Sequence, residues 1–151
     1  MKLYIFLIII IIDQLTKYIV SKSLSLNSIY KFSPFLDFAY IQNTGISFGL
    51  FSQILPAWVI SVVVGIIIII LIYWLFNSDK SLEKWGLMII LAGAFGNFID
   101  RLLNNYVVDF IYFHYKHYYW PAFNIADIAI TAGVVILIIA TYIGYKYRLK
   151  K

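Results

Sequence analysis

The chain has no cysteine and little charge. Of its 151 residues, 13% are Asp, Glu, Lys or Arg, and 63% are hydrophobic. The absence of cysteine excludes disulfide bonds, thiolate nucleophiles and cysteine-ligated zinc. Because a soluble domain carries about 25% charged and about 45–50% apolar residues, most of the surface of this chain cannot face water. These shortages exclude disordered, fibrous and ordinary soluble folds, and they predict an integral membrane protein.

Four segments are long and apolar enough to cross a bilayer, for which roughly 20 residues are needed. The clearest is 57–76, which contains no charged residue. We therefore predict one domain over residues 1–151, an all-α membrane bundle of four transmembrane helices. The predicted spans are about 3–20, 57–76, 85–103 and 123–145, and the outer segments are about 21–56 and 104–122.

The basic residues predict the orientation of these spans. They do not form the clustered basic face that binds nucleic acid, so we expect no nucleic-acid partner. The apolar spans predict contact with membrane lipid instead. Seven of the basic residues in loops and tails lie on one side and three on the other, which predicts cytoplasmic termini. The seven are Lys2, Lys80, Lys84, Lys146, Arg148, Lys150 and Lys151, and the three are Lys22, Lys31 and Lys116.

The outer segments contain local structural signals of their own. Residues 35–42 are rich in aromatic and branched side chains, which predicts a β-strand. Asn43-Thr44-Gly45 is typical of a turn, and residues 46–55 are predicted to form a short interfacial helix. We expect 104–122 to be a loop, in which His114 and His117 are ordinary loop residues and not metal ligands.

The unusual polar residues of the spans all fall near the outer interface. An ionisable side chain within a span costs at least ~2.5–3.5 kcal/mol, so each of them requires an explanation. Small residues in the third and fourth spans permit close helix approach, which would bring the polar residues together. At helical spacing, Asp13 shares a face with Lys17, Asn97 with Asp100 and Arg101, and Asn124 with Asp127.

Carboxylates are the reactive groups that such a pocket offers, with candidates at Asp100, Asp109 and Asp127. The chain has no H-E-x-x-H motif, and no histidine lies within a predicted span. Two close aspartates at a low-dielectric boundary do not both ionise, so one holds a proton while the other acts as a base. That arrangement hydrolyses amides in aspartic proteases without a metal or cofactor. The residues alone leave open a second function, a small membrane carrier that uses its aspartates as a proton relay.

Five sequence blocks resemble lipoprotein signal peptidases, the bacterial signal peptidase II family. The blocks occur in the order of the family and extend over most of the chain. They are DQLTK (13–17), NTGISFG (43–49), AGAFGNFIDR (92–101), VVDFI (107–111) and FNIADIAI (123–130).

The resemblance implies a membrane aspartic peptidase of the bacterial cytoplasmic membrane, with its active site near the outer face. Its expected substrate is a diacylglyceryl-modified prolipoprotein, cleaved just before the lipidated cysteine. The catalytic pair would be Asp109 and Asp127, with no metal or other cofactor, and we expect a monomer. The implied fold is a four-helix membrane bundle with a small extracellular β-cradle.

The same blocks imply supporting residues. We expect Asn43, Asn97, Arg101 and Asn124 to orient the substrate or the catalytic pair, and Gly45 and Ala126 match further motif positions. Asp13, Lys17 and Asp100 are expected to hold the frame by pairing. Arg101 follows Asp100 directly and is expected to be its counter-charge.

Overall fold

The computed structural model describes residues 2–45 and 55–148. The predicted interfacial helix at 46–55 therefore lies outside the described residues, apart from Leu55. Along the chain, the described elements are α1 (Lys2–Ser23), β1 (Ile29–Lys31), β2 (Leu36–Asn43), α2 (Ala57–Asn77), α3 (Ser81–Asn104), β3 (Val107–Tyr115), β4 (Tyr118–Tyr119) and α4 (Ile125–Arg148).

All four helices are long and apolar enough to cross a membrane, which confirms the predicted spans. The largest difference is the start of α3, which begins at Ser81 and not near residue 85. Hydrophobicity predicts only the part of a helix that lies in hydrocarbon. The polar first turn of α3 was therefore not included in the predicted span. Glu83 lies in that turn, where its negative charge favours the positive end of the helix dipole.

Helix α3 is central and contacts the other three helices and the sheet. Two of its glycines allow this close packing. A Cβ atom at Gly93 would collide with the carbonyl oxygen of Ala126, and one at Gly96 would lie 2.6 Å from Asp13 Oδ2. The small residues therefore bring α1 and α4 against α3 beside the polar side chains, as small-residue helix interfaces do in membranes.

A four-stranded antiparallel sheet in the order β1-β2-β3-β4 lies where α1 and α3 end and α4 begins. The predicted strand at 35–42 is confirmed by β2. The loop predicted at 104–122 is wrong, because much of it forms β3 and β4. Branched and aromatic residues favour strands, and β2 supplies the partner. His114 accordingly lies in a strand, and His117 lies in the turn that follows.

The pairing of β2 with β3 carries one end of β3 to the helices. Ile41 is opposite Asp109 and Asn43 is opposite Val107, with an irregularity between Phe38 and Ile41. The first four residues of β3 are all buried. The sheet thus holds Asp109 against the polar end of the helix bundle.

Candidate active site

Asp109 on β3 and Asp127 in the first turn of α4 line the same cavity, whose volume is about 280 Å³. Asn43, Asn97 and Arg101 also line it, while its deeper walls are apolar side chains of α2, α3 and α4. The structure therefore brings together five residues from four separate sequence blocks.

Asp127 is positioned by the way in which α4 begins. The backbone N–H of Asp127 donates to Asn124 Oδ1 at 3.0 Å, and Asp127 Oδ2 accepts from the backbone N–H of Asn124 at 3.2 Å. This reciprocal pair is a capping box, in which a residue before the helix and one three positions later satisfy each other's N–H groups. Asn97 Nδ2 donates to the other carboxylate oxygen at 2.9 Å. Both oxygens of Asp127 are thus fixed by N–H donors.

Asp109 is held by two asparagine side chains. Asn124 Nδ2 lies 2.7 Å from Asp109 Oδ1, and Asn43 Nδ2 lies 2.8 Å from Asp109 Oδ2. Burial raises the pKa of Asp109 to about 7, and the negative charge of Asp127 acts in the same direction. The two asparagine hydrogen bonds oppose this shift, because they stabilise the ionised form.

The amide orientations of Asn43, Asn97 and Asn124 follow from their surroundings. Each side-chain oxygen accepts from a group that can only donate, so each NH2 group must face a carboxylate of the candidate site. The donors are the backbone N–H of Gly45, 2.9 Å from Asn43 Oδ1; the ammonium of Lys17, 2.8 Å from Asn97 Oδ1; and the backbone N–H of Asp127, 3.0 Å from Asn124 Oδ1.

A second pair of buried carboxylates lies beside the first, and both of its members form ion pairs with Lys17. The Lys17 Nζ lies 2.8 Å from Asp13 Oδ2 and 2.8 Å from Asp100 Oδ2, which confirms the predicted pairing of Asp13 with Lys17. Asp13 Oδ1 also accepts from the backbone N–H of Ala126 at 2.9 Å. Together with the bond to Asn97, these contacts use all three ammonium donors of Lys17.

Arg101 does not form the predicted ion pair with Asp100. Its Nη2 donates to the carbonyl oxygen of Gly45 at 2.8 Å, and its Nη1 donates to that of Asn97 at 3.2 Å. The expectation that Arg101 is the counter-charge of Asp100 is wrong, since Lys17 forms that ion pair among the described residues. Arg101 instead connects the end of β2 to α3, while Asp109 attracts its charge at longer range.

Sequence reasoning missed Gln14. Its Nε2 lies 3.1 Å from Asp100 Oδ1, 3.1 Å from the carbonyl oxygen of Gly96 and 3.2 Å from Asp13 Oδ2, so it joins α1 to α3. The available signal was its position directly after Asp13, where an uncharged polar side chain within a span requires a partner.

The histidines lie outside this site. His114 is on β3 near Asp37, with its Nε2 3.5 Å from Asp37 Oδ2. Over residues 2–45 and 55–148, no group of three or more His, Asp or Glu side chains could hold a metal ion. The candidate site therefore offers carboxylates, amides and two buried cations as its chemical groups.

The fold and the site define a multi-pass membrane protein with a pair of buried carboxylates at one end of its helix bundle. Comparison with known proteins agrees. Two solved bacterial membrane enzymes, determined by the in meso method at 2.3 and 1.9 Å resolution, share this fold. Their TM-scores are 0.83 and 0.80, with 34% and 35% identity over 93% of this chain, covering 87% and 91% of theirs.

The family model for signal peptidase (SPase) II matches residues 5–143. A lipoprotein signal peptidase of Thermodesulfovibrio yellowstonii is 43% identical over 132 residues, which is 87% of each chain. One from Acinetobacter baylyi is 40% identical over 147 residues, covering 94% of this chain and 82% of the relative. The chain belongs to the signal peptidase II family, and it is a protease.

Proposed function

We propose that this chain is an aspartic endopeptidase that removes the signal peptide from diacylglyceryl-modified prolipoproteins by cleaving before the lipidated cysteine. Membership of the signal peptidase II family supports the substrate class. The observation that carries the aspartic mechanism is the single cavity that both Asp109 and Asp127 line. Residues 1–151 act as one peptidase domain, and a monomer suffices because both carboxylates come from one chain.

In this proposal, Asp109 is the acid and Asp127 is the base. The pKa of Asp109 is raised to about 7 by burial and by Asp127, so Asp109 carries a proton for much of the time at neutral pH. Asp127 has N–H donors on both oxygens and lies at the positive end of α4, which favours its ionised form. Because the pair interacts strongly, the shared proton belongs to both carboxylates as a unit.

The reaction then follows from these two protonation states. Asp127 removes a proton from a water molecule, which attacks the scissile carbonyl carbon, while Asp109 donates its proton to the carbonyl oxygen. The tetrahedral intermediate collapses when the proton held by Asp127 passes to the leaving amine and the C–N bond breaks. One hydroxyl of the intermediate returns its proton to Asp109 as the carbonyl re-forms, which restores the starting protonation of the pair. The supporting asparagines keep the two carboxylates in place during these transfers.

Two apolar spaces beside Asp127 suit the two parts of the substrate. The cavity of about 280 Å³ continues from the carboxylates along apolar residues of α2 and α3, which suits the apolar signal segment. On its other side, Asp127 lines a groove of about 440 Å³ together with Trp120, Phe123 and Ile128. That groove suits the acyl chains, which would enter sideways from lipid.

A cleavage assay tests this function. Purified protein in micelles should release the signal peptide from a diacylglyceryl prolipoprotein, and mass spectrometry of both products should place the cut before the modified cysteine. The matched control is the same precursor without the lipid, which should be cleaved at least tenfold more slowly. Equal rates for both precursors would contradict the lipid requirement, and no cleavage of either would contradict the function.

The orientation is part of the same proposal: the termini are cytoplasmic, and the sheet with the active site lies near the outer face of the bacterial cytoplasmic membrane. The basic residues support it. Reporter fusions after Lys80 and Lys151 should be cytoplasmic, whereas fusions near Ser28 and Lys116 should be external. A cytoplasmic reporter at Lys116 would overturn both the topology and the external position of the site.

A further inference from the structure

A second polar cavity lies between α1, α3 and the sheet, and the proposed reaction does not use it. Its volume is about 390 Å³, and neither Asp109 nor Asp127 lines it. The helices contribute residues from their C-terminal halves, so the cavity is at the same end of the bundle as the sheet. Its walls carry hydroxyl or amide groups from Gln14, Tyr18, Ser21, Tyr40, Asn104 and Tyr106.

The two charged residues at the buried end of this cavity are already paired within the protein. Lys17 and Asp100 line that end, and they form an ion pair with each other at 2.8 Å. Asp100 Oδ1 also accepts from Gln14 Nε2 at 3.1 Å. An added ammonium group would therefore find no carboxylate oxygen without a partner here. The buried end is suited to neutral hydroxyl groups or water instead.

The open end of the cavity has a cation without a counter-ion, Lys22. It is exposed, and no Asp or Glu of residues 2–45 and 55–148 forms an ion pair with it. Its Nζ lies 5.8 Å from the centre of the Tyr18 ring, which lines the same cavity. The Tyr106 hydroxyl contacts that of Tyr40 only at 3.5 Å, so it can donate to a ligand. An ammonium beside hydroxyl donors suits a phosphate group.

The face of α1 that leads to Lys22 is apolar and exposed to lipid. Leu15, Ile11 and Ile8 precede Lys22 by about two, three and four helical turns, so all four residues lie on one side of the helix. The exposed fractions of the three apolar residues are 54%, 61% and 52%. An acyl chain that packs along this face would bring its headgroup to Lys22, which favours a lipid over a soluble phosphate compound.

We propose that this cavity binds the headgroup of an anionic glycerophospholipid, with phosphatidylglycerol as the lipid that fits best. The phosphate pairs with Lys22 and accepts from the hydroxyls of Tyr18 and Tyr106. The glycerol hydroxyls of the headgroup extend toward Gln14 at the buried end. A zwitterionic headgroup fits less well, because its ammonium group has no unpaired carboxylate to bind. The bound lipid contacts α1, α3 and the start of β3 together, and it therefore stabilises the fold.

Lipid binding is measured on the purified, delipidated full chain in a neutral detergent. Native mass spectrometry counts the bound lipids. Titration gives the dissociation constants of phosphatidylglycerol, phosphatidylethanolamine and phosphatidylcholine with the same acyl chains. Lys22→Met removes the cation and keeps an unbranched side chain. Lys31→Met is the matched control, because Lys31 is exposed on β1 and does not line the cavity. It removes the same charge from the same end of the protein.

We expect one phosphatidylglycerol per wild-type chain, bound at least about tenfold more tightly than the two zwitterionic lipids. Lys22→Met should weaken this binding at least about tenfold and Tyr106→Phe about threefold, whereas Lys31→Met should retain it. At about ten times its wild-type dissociation constant, phosphatidylglycerol should raise the melting temperature of the wild type by about 4 °C. The same concentration should raise that of Lys22→Met by less than half as much.

Equal binding of the three lipids, or equal losses in Lys22→Met and Lys31→Met, would overturn the proposal, because the attraction would then not come from this cavity. Glycerophosphoglycerol, the same headgroup without acyl chains, tests the source of the phosphate. We expect it to cause no thermal shift at the concentration used for the lipid, and an equal shift would overturn the assignment to a lipid. Since Lys22 pairs with no described carboxylate, Lys22→Met should fold normally in detergent alone.

Discussion

Two pairs of buried aspartates lie side by side in this protein, and their surroundings differ. Asp13 and Asp100 share the ammonium of Lys17, which contacts each of them at 2.8 Å. Asp109 and Asp127 have asparagine and backbone N–H donors instead, and no lysine or arginine of the described residues forms an ion pair with either. The first pair contacts a counter-charge directly, whereas the second is hydrogen-bonded by dipoles and feels the charges of Lys17 and Arg101 only at longer range.

In our proposal, this difference separates carboxylates that hold the structure from carboxylates that react. An ion pair with a buried lysine fixes a carboxylate in its charged form, which prevents it from exchanging protons near neutral pH. Dipoles stabilise charge less strongly, so the carboxylate can change its protonation state during a reaction. The raised pKa of Asp109, to about 7, agrees with this distinction. Four predictions test it, beginning with the largest expected effect.

Replacing either reacting aspartate should abolish cleavage. Asp109→Asn and Asp127→Asn keep the size of the side chain but remove the transferable proton or the base, so we expect a loss of at least ~1,000-fold in kcat. Both variants should still insert and fold. Because the two residues act as a unit, the double variant should be no slower than either single variant. Asp79→Asn, at an exposed position, is the control. Near wild-type processing by either single variant at normal expression would contradict the mechanism.

Removing the counter-charge of the other pair should affect folding first. Lys17→Met leaves Asp13 and Asp100 buried without a cation, and breaking a buried ion pair in this way costs about 3–5 kcal/mol. We expect a large loss of folded protein, measured by size-exclusion chromatography and thermal unfolding in detergent. Lys22→Met, at an exposed position on the same helix, is the control. A normal yield and melting temperature for Lys17→Met would show that the ion pairs do not hold the frame.

Arg101→Ala should have an intermediate effect on both folding and cleavage. It removes the two hydrogen bonds to the carbonyl oxygens of Gly45 and Asn97, and therefore the connection between β2 and α3. We expect lower folded yield and a reduced kcat/KM. Arg101→Lys should restore these properties in part, because lysine keeps the charge but lacks the planar fork of donors. Full activity and normal yield in Arg101→Ala would make Arg101 dispensable.

The smallest effect concerns pH. In the proposed mechanism, cleavage requires protonated Asp109, so the cleavage rate should fall as the pH rises through about 7. The hydrogen bond from Asn43 lowers the pKa of Asp109, and Asn43→Ala should therefore raise it. The decline in rate should then move to higher pH, alongside any loss of maximal rate. Gln42→Ala is a matched control, since that side chain donates to Tyr40 and not to Asp109. A decline that stays at the same pH, or moves down, would contradict the role of Asp109 as the acid.

The sequence was sufficient to predict the helices and the strand β2, but not the rest of the sheet. Apolar runs such as 57–76 reflect a requirement of the bilayer itself, so α2 agrees with its predicted span to within one residue at each end. The bilayer places no such requirement on the sequence of strand β3. Its first residues are buried without polar alternation, and its pairing with β2 joins parts of the chain separated by two helices.

The candidate site was predictable as a set of residues but not as a set of bonds. The block resemblance pointed to Asp109, Asp127 and the asparagines. Which charged side chains form ion pairs depends on their length and direction. The prediction based on adjacency in the sequence was therefore wrong for Arg101 and Asp100. Arg101 follows Asp100 directly, but neighbouring residues on a helix point in different directions. The ion-pair partner of Asp100 is therefore Lys17, which lies on another helix. Gln14 was overlooked for the same reason, because its partners are on α3.

The beginning of α4 has two anchors with different fates during a turnover. Asp13 accepts from the backbone N–H of Ala126 and pairs with Lys17, so this anchor takes no part in the proposed proton transfers. Asp127 accepts from the backbone N–H of Asn124, and this hydrogen bond weakens whenever Asp127 takes up a proton. The hydrogen bond to Asp13 thus holds the start of α4 independently of the proposed reaction, whereas the hydrogen bond to Asp127 depends on it. In the proposed mechanism, proton transfer and local movement at Asn124 would be synchronised, while the hydrogen bond from Ala126 to Asp13 would hold the first turn throughout.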